Sequence, residues 1–328
     1  MATAEQLKAL VKSYAEGDQA QFLAVAMQVA AHAARQGHGK LAQELRALVD
    51  EAKAKRDEVP RRPDGPTPLV QPRGELSGLL SVSYPSTRLP EMVLEGQVRQ
   101  RLERVLREQR QSSKLREYGL RARHRILLVG PPGSGKTMTA AALAGEMHLP
   151  LFTIVLDALI TKFMGETAAK LRLVFDAIQA TRGVYLFDEF DAIGGQRGAG
   201  NDTGEIRRVL NSYLQFLEQD DSNSLIIAAT NHPELLDHAL FRRFDDVLEY
   251  SVPSRDLVAR TIRAKISAFV DSELDWTAIA ESAEGLSYAE LTRACGDAIK
   301  ESILDEKAAI STPALLRAFE ERRASRRS

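Results

Sequence analysis

The sequence predicts an α/β chain: a parallel five-stranded sheet with helices on both faces, a helical domain after it and a small helical bundle before it. Three observations carry this. Short apolar runs at 126–129, 151–156, 184–187, 224–229 and 247–252 alternate with longer stretches of helical periodicity, and that alternation calls for a parallel sheet covered on both sides. From Ser254 onward the pattern is helical throughout. It is helical again before residue 56, and a proline-rich stretch separates that part from the rest.

In chain order, Leu7, Leu10, Val11 and Tyr14 share one helical face, and Gly17-Asp18 breaks and recaps the chain. Phe22, Val25, Ala26 and Val29 mark a central helix; Leu41, Leu45, Leu48 and Val49 mark a third. Residues 1–56 thus read as an N-terminal helical domain, either a module that recruits a substrate or partner or a cap that stabilises an oligomer. Residues 57–88 carry Pro60, Pro63, Pro66, Pro68, Pro72 and Pro85 with Arg61, Arg62 and Arg73, too much proline for helix and too little apolar surface for a core. They read as a semi-extended linker. The α/β domain spans 89–253. It opens on a helix from Leu89 to Gln111 with Val98, Leu102, Val105 and Leu106 apolar, and further helices are expected at Met138–Met147, Ala168–Thr181 and Glu205–Leu217. Residues 254–328 form the C-terminal helical domain, with helices at Leu257–Phe269, Trp276–Ser282, Ser287–Leu304 and Thr312–Arg323. Ser311 and Pro313 mark the start of the last helix, and the basic end, Arg322 to Arg327, reads as a frayed tail.

Composition narrows the function classes. With 44 Lys+Arg against 45 Asp+Glu the net charge is −1, so nothing draws the chain as a whole to nucleic acid or to an anionic membrane, and neither is expected as a partner. A single cysteine, Cys295, allows no internal disulfide and no zinc ribbon. No basic segment leads into an apolar one at the N-terminus and no run is long enough for a membrane span, so the expected location is cytoplasmic.

The chemistry gathers at the ends of the apolar runs. Ile126–Val129 lead into Gly130-Pro131-Pro132-Gly133-Ser134-Gly135-Lys136-Thr137, then Met138 and a helix. G-x-x-x-x-G-K-T between strand and helix is a phosphate-binding loop: glycines let backbone N–H groups turn inward, and the helix adds its positive end. Lys136 is expected to reach the β- and γ-phosphates of ATP and the Thr137 hydroxyl to hold Mg²⁺. Val184–Phe187 end in Asp188-Glu189. Two acids at the edge of an apolar core need a compensating partner, and magnesium on ATP supplies one. Asp188 then orients the metal and Glu189 acts as general base toward water. Asp191 is a third polar contact or a helix cap, the latter favoured.

Taken as a series, these motifs resemble the ATPases of the AAA family, in its ordinary clade of bacterial-type protein-remodelling motors, over about residues 89–323. Gly130–Thr137 stands as Walker A, Phe187-Asp188-Glu189 as Walker B, Ala229-Thr230-Asn231 as sensor 1, followed by L-D-H-A-L-F-R-R-F-D from Leu236 to Asp245. The resemblance implies that Asn231 places the hydrolytic water and that Arg242 and Arg243 are fingers reaching a neighbouring copy's site, hence a homohexameric ring formed with nucleotide. Lys162, Phe163, Met164 and Gly165 resemble the first pore loop, which grips a polypeptide; Gly194–Gly204 stands in the position of the second. Gly285 to Leu291 resembles the clade's G-x-S-G-A-D-L, with Ala289 toward the nucleotide, no sensor 2 arginine, and Tyr288 where the family often has Gly. Pro90–Leu94 departs from the family's usual lead-in near adenine. The function implied is an ATP-dependent unfoldase that threads protein through a pore. The alternatives are an assembly or disassembly chaperone that does not thread, and the regulatory ATPase of a separate protease, since the sequence holds no H-E-x-x-H.

Overall fold

The structure, a computed structural model, describes residues 30, 43, 47, 72, 74–160, 164–191, 202–236, 238–269, 274–305 and 309–325. The chain divides into two compact units, Met1–Leu69 and Val70–Ser328. The helices expected over 1–56 and most of the linker lie outside the described residues, apart from Ala30, Gln43 and Ala47, each helical. The second unit holds the sheet and every helix from residue 76 onward.

A one-turn helix α1 (Leu76–Leu79) runs into strand β1 (Leu80–Ser83). The 3₁₀ turn Leu89–Glu91 then precedes α2 (Gly96–Arg110), which buries Val98, Leu102, Val105 and Leu106 on one stripe and carries Arg107 and Arg110 at its negative end. Short α3 (Ser112–Glu117) leads to β2 (Arg125–Val129) and α4 (Lys136–Met147). There follow β3 (Leu151–Ile154), one-turn α5 (Leu156–Leu159), α6 (Met164–Ala180), β4 (Val184–Phe187), α7 (Asp202–Gln219), β5 (Leu225–Thr230), one-turn α8 (His238–Phe241) and β6 (Asp246–Glu249). The helical domain is α9 (Arg255–Ile266), α10 (Trp276–Ser282), α11 (Tyr288–Leu304) and α12 (Thr312–Ser325).

The strands form one six-stranded sheet in the order β1-β3-β4-β5-β2-β6. All five expected strands are parallel; the sixth, β1, pairs antiparallel with β3 from Leu80↔Ile154 to Ser83↔Leu151. The five-stranded expectation is corrected to six, and the linker expectation is corrected with it, because Leu76–Ser83 folds onto the α/β body. The cause is a four-residue Leu-Ser-Val-Ser alternation, which the surrounding prolines hid. β3 is also shorter than expected, ending at Ile154 because Val155 is the N-cap of one-turn α5, which takes Leu156 into a helix.

Side chains alternate across the sheet and so sort into two cores. Leu127, Val129, Tyr185, Phe187, Ile226 and Ala228 meet Leu171, Val174, Phe175 and Ile178 of α6 and Tyr213 and Leu217 of α7. Ile126, Leu128, Val184, Leu186, Leu225 and Ile227 meet α2 and the alanines of α4. Gly145 in α4 marks a close approach: a Cβ there would lie 2.1 Å from the Thr87 carbonyl oxygen. A third core joins α9 to α12 through Val258, Ile262, Leu291, Cys295, Leu315 and Phe319. Burial pushes the Cys295 thiol up to about 12, so it is a packing residue. Asp275 caps α10 by accepting from the Thr277 and Ala278 amides, and Ser287 caps α11 in a box with Glu290. Arg322 and Arg323, expected in a frayed tail, are helical; they engage Asp297 and the Glu284 carbonyl.

Candidate active site

Because β5 lies between β4 and β2, three adjacent strands end together. Phe187 opposes Ala228 and Val129 opposes Thr230, so the acids after β4, the Thr230-Asn231 end of β5 and the glycine loop after β2 emerge along one edge. The carboxyl-end rule thus becomes specific residues.

Gly130, Gly133 and Gly135 all have positive φ, at 148°, 72° and 101°. Gly133 also has no room for a side chain: a Cβ would lie 2.7 Å from Ser287 Oγ and 3.0 Å from the Ala289 Cβ. The Ala289 N–H donates to the Gly133 carbonyl at 3.1 Å, so the first turn of α11 rests on the loop. Pro131 is half-buried and Pro132 exposed, with no hydrogen bond donated by either. Gly135 is the N-cap of α4 and offers no side chain to its free amides.

Lys136 is 6% exposed, and its Nζ donates to the carbonyls of Gly130 (2.7 Å) and Pro131 (3.0 Å) and to Asn231 Oδ1 (2.7 Å). Burial lowers its pKa, against the opposing pull of Asp188 and Asp191. Thr137 Oγ1 donates to Asp188 Oδ2 at 2.6 Å. Glu189 is exposed and held at φ 51°, a conformation side-chain-bearing residues rarely adopt, while its N–H donates to Asp188 Oδ1 at 3.0 Å. Asp191, read as a third polar contact or a helix cap, is helical and buried and accepts from the Thr230 hydroxyl at 3.0 Å; the same hydroxyl accepts from the His232 N–H at 3.0 Å. This pair locks the ends of β4 and β5 to each other. Met138 is exposed at the first turn of α4.

These residues fit a polyphosphate. The Ser134 hydroxyl is buried in the loop without a hydrogen-bond partner among the described residues, and the uncapped first turn of α4 presents donors of the right polarity. The oxygens of Thr137 and Asp188 are the hard donors a small divalent cation takes.

Other expected residues stand apart. Arg242 and Arg243 are exposed after α8; Arg243 pairs with Glu218 of α7, and Arg242 makes no ion pair among the described residues. Lys162 and Phe163 lie outside the described residues, as do residues 194–201 of the Gly194–Gly204 stretch, whose remainder opens α7; Met164 and Gly165 begin α6. Three residues of the site escaped sequence reasoning. The Tyr250 carbonyl closes beneath Gly130, where a Cβ would lie 2.4 Å from it, and its hydroxyl bonds Thr139 Oγ1 at 2.7 Å. Met92 Cε is the nearest neighbour of Gly135, and Ser287 abuts Gly133. Ser287 and Met92 had a signal, their places in the Gly285–Leu291 and Pro90–Leu94 stretches, and Tyr250 had none.

A strand-loop-helix phosphate cradle with two acids at the end of the next strand but one defines a nucleoside-triphosphate hydrolase of the P-loop class. Residues 126–252 match the family model described as ATPase family associated with various cellular activities (AAA). An uncharacterized AAA family ATPase, y4kL, of Sinorhizobium fredii is 33% identical over 94% of this chain and 91% of its own length. The chain belongs to the AAA family, and it is an ATPase. ATP-dependent zinc metalloproteases are also similar: FtsH of Mesoplasma florum is 35% identical over 57% of this chain and 30% of its own length, and FtsH 3 of Sphaerobacter thermophilus 32% over 69% and 47%. The chain thus spans less than half of either metalloprotease.

Proposed function

We propose that this ATPase is a protein-remodelling motor: a homohexameric ring, formed with nucleotide, that unfolds polypeptide by drawing it through a central pore. The observation that carries the ring is Arg242. Charge developing on a transferring phosphoryl group calls for a guanidinium, and this one is exposed and without an ion-pair partner among the described residues. A neighbouring copy is where it would be used. The likeness to the ATPase part of the FtsH metalloproteases supports work on protein substrates.

In this reading the loop amides and Lys136 hold the phosphates, Glu189 takes a proton from the attacking water, and Asn231, steadied beside Lys136, orients that water. Thr137 and Asp188 would hold magnesium, which screens phosphate charge when bound. Ala289 and Ser287 tie the helical domain to the phosphate loop, so it acts as a lid that moves as the nucleotide changes. Phe163, with Lys162, Met164 and Gly165, grips substrate by apolar contact without reading its sequence. Residues 1–56 select the substrate.

The test is Phe163→Ala, assayed for ATPase activity and for unfolding of a tagged fluorescent protein captured through residues 1–56. ATP hydrolysis should stay within about two-fold while unfolding falls at least about ten-fold. Retained unfolding would leave a motor that does not thread.

A further inference from the structure

The segment bearing Arg242 and Arg243 is gripped at the sheet edge opposite the phosphate loop. Phe244 enters the core at 7% exposure, and the next residue, Asp245, is taken hold of from three sides. Its Oδ2 accepts from the backbone N–H groups of His124 at 2.8 Å and Arg125 at 3.0 Å, and lies 3.3 Å from His124 Nδ1; its own N–H donates to the Arg125 carbonyl at 2.9 Å. On the far side of the imidazole, Asp220 Oδ2 is 3.6 Å from Nε2. Asp220 is fully buried, accepts from the Ser222 hydroxyl at 3.1 Å, and sits just past α7, where Arg125 donates to the carbonyls of Glu218 and Asp220. Glu218 pairs with Arg243.

A simple surface turn needs none of this. Burying the His124 imidazole and the Asp220 carboxylate costs desolvation that a neutral turn avoids, and what they hold is the part-exposed Asp245, within three residues of both guanidiniums. It fixes that segment to the first residues of β2, the strand that ends in the phosphate loop. We propose that Asp245, clasped by His124, is a positioning residue that holds Arg242 and Arg243 at the angle from which they serve a neighbouring copy's nucleotide. This role rests on the proposed ring.

The test mixes full-length subunits. Glu189→Gln keeps its arginines and loses its own turnover; Arg242→Ala/Arg243→Ala keeps its own base. ATPase activity of the mixture above that of either variant alone reports arginines acting in trans. Adding Asp245→Ala to the Glu189→Gln subunit should cut the recovered activity about a hundred-fold, the scale expected of a misplaced catalytic group, with the subunit's ATP affinity unchanged. In place of Asp245→Ala, His124→Asn sets an amide donor where Nδ1 faces Asp245 and should keep most of the recovery. His124→Gln reaches toward Asp220 and should keep less. Should Asp245→Ala subunits fail to bind ATP, the two His124 variants decide alone. Full recovery with Asp245→Ala, or equal recovery with the two His124 variants, overturns the proposal. If the starting mixture recovers nothing, the ring reading fails first and the positioning role with it.

Discussion

Glu189 combines exposure with a backbone turned to positive φ, directly after a strand in which four consecutive side chains are buried. Strain at such a point is kept where it aims a side chain. Glu189→Gln preserves shape and removes the base, so ATP affinity should be retained while phosphate release falls by about 10²- to 10⁴-fold. Equilibrium binding and single-turnover hydrolysis separate the two; a variant that turns over normally would take Glu189 out of that role. At this scale the sequence was most legible where residues act as near neighbours, as in Gly130–Thr137 and Asp188-Glu189. Tyr250 was silent, because its backbone oxygen beneath Gly130 comes from far along the chain and carries no spacing pattern.

Elements explain why the loop sits still. α4 begins without a side-chain cap and holds by its packing, with Gly145 letting the 85–87 segment run against its backbone. Gly145→Ala improves helix propensity, yet its methyl meets the Thr87 carbonyl. Overpacking of this kind costs about 1–3 kcal/mol, so thermal unfolding should show a lower Tm. An unchanged or raised Tm would mean that the segment yields. The five parallel strands could be read from composition because each is buried on both faces and uniformly apolar. β1 could not, since an edge strand of two leucine-and-valine positions alternating with serines differs little from a polar linker until its partner β3 is known.

For the whole molecule, the Asp245 carboxyl at the sheet edge ties stability to pH. Burial tends to raise Asp245, but the hydrogen bonds from the His124 side chain and from the His124 and Arg125 amides outweigh it and hold the carboxyl at about 2, below its ordinary 3.8. A folded-state value below the unfolded one contributes stability that is complete above 3.8 and drains away as pH falls through about 2. The stability gap between wild type and Asp245→Asn, from denaturant melts, should therefore be constant near neutrality and shrink on acidification in that window. A gap that does not move with pH would assign the bond another origin. The order of motifs made the ring architecture legible as an expectation, whereas the clasp needed three separate chain segments to meet.

The edge position of β1 has a mechanical consequence. Anything attached ahead of residue 72 is joined to the body through a strand hydrogen-bonded on one side only, across four residue pairs, with Leu79 and Leu80 sunk in the core behind it. A pull from that side loads this ladder before it loads the central strands, so Leu80–Ser83 bears such a load first.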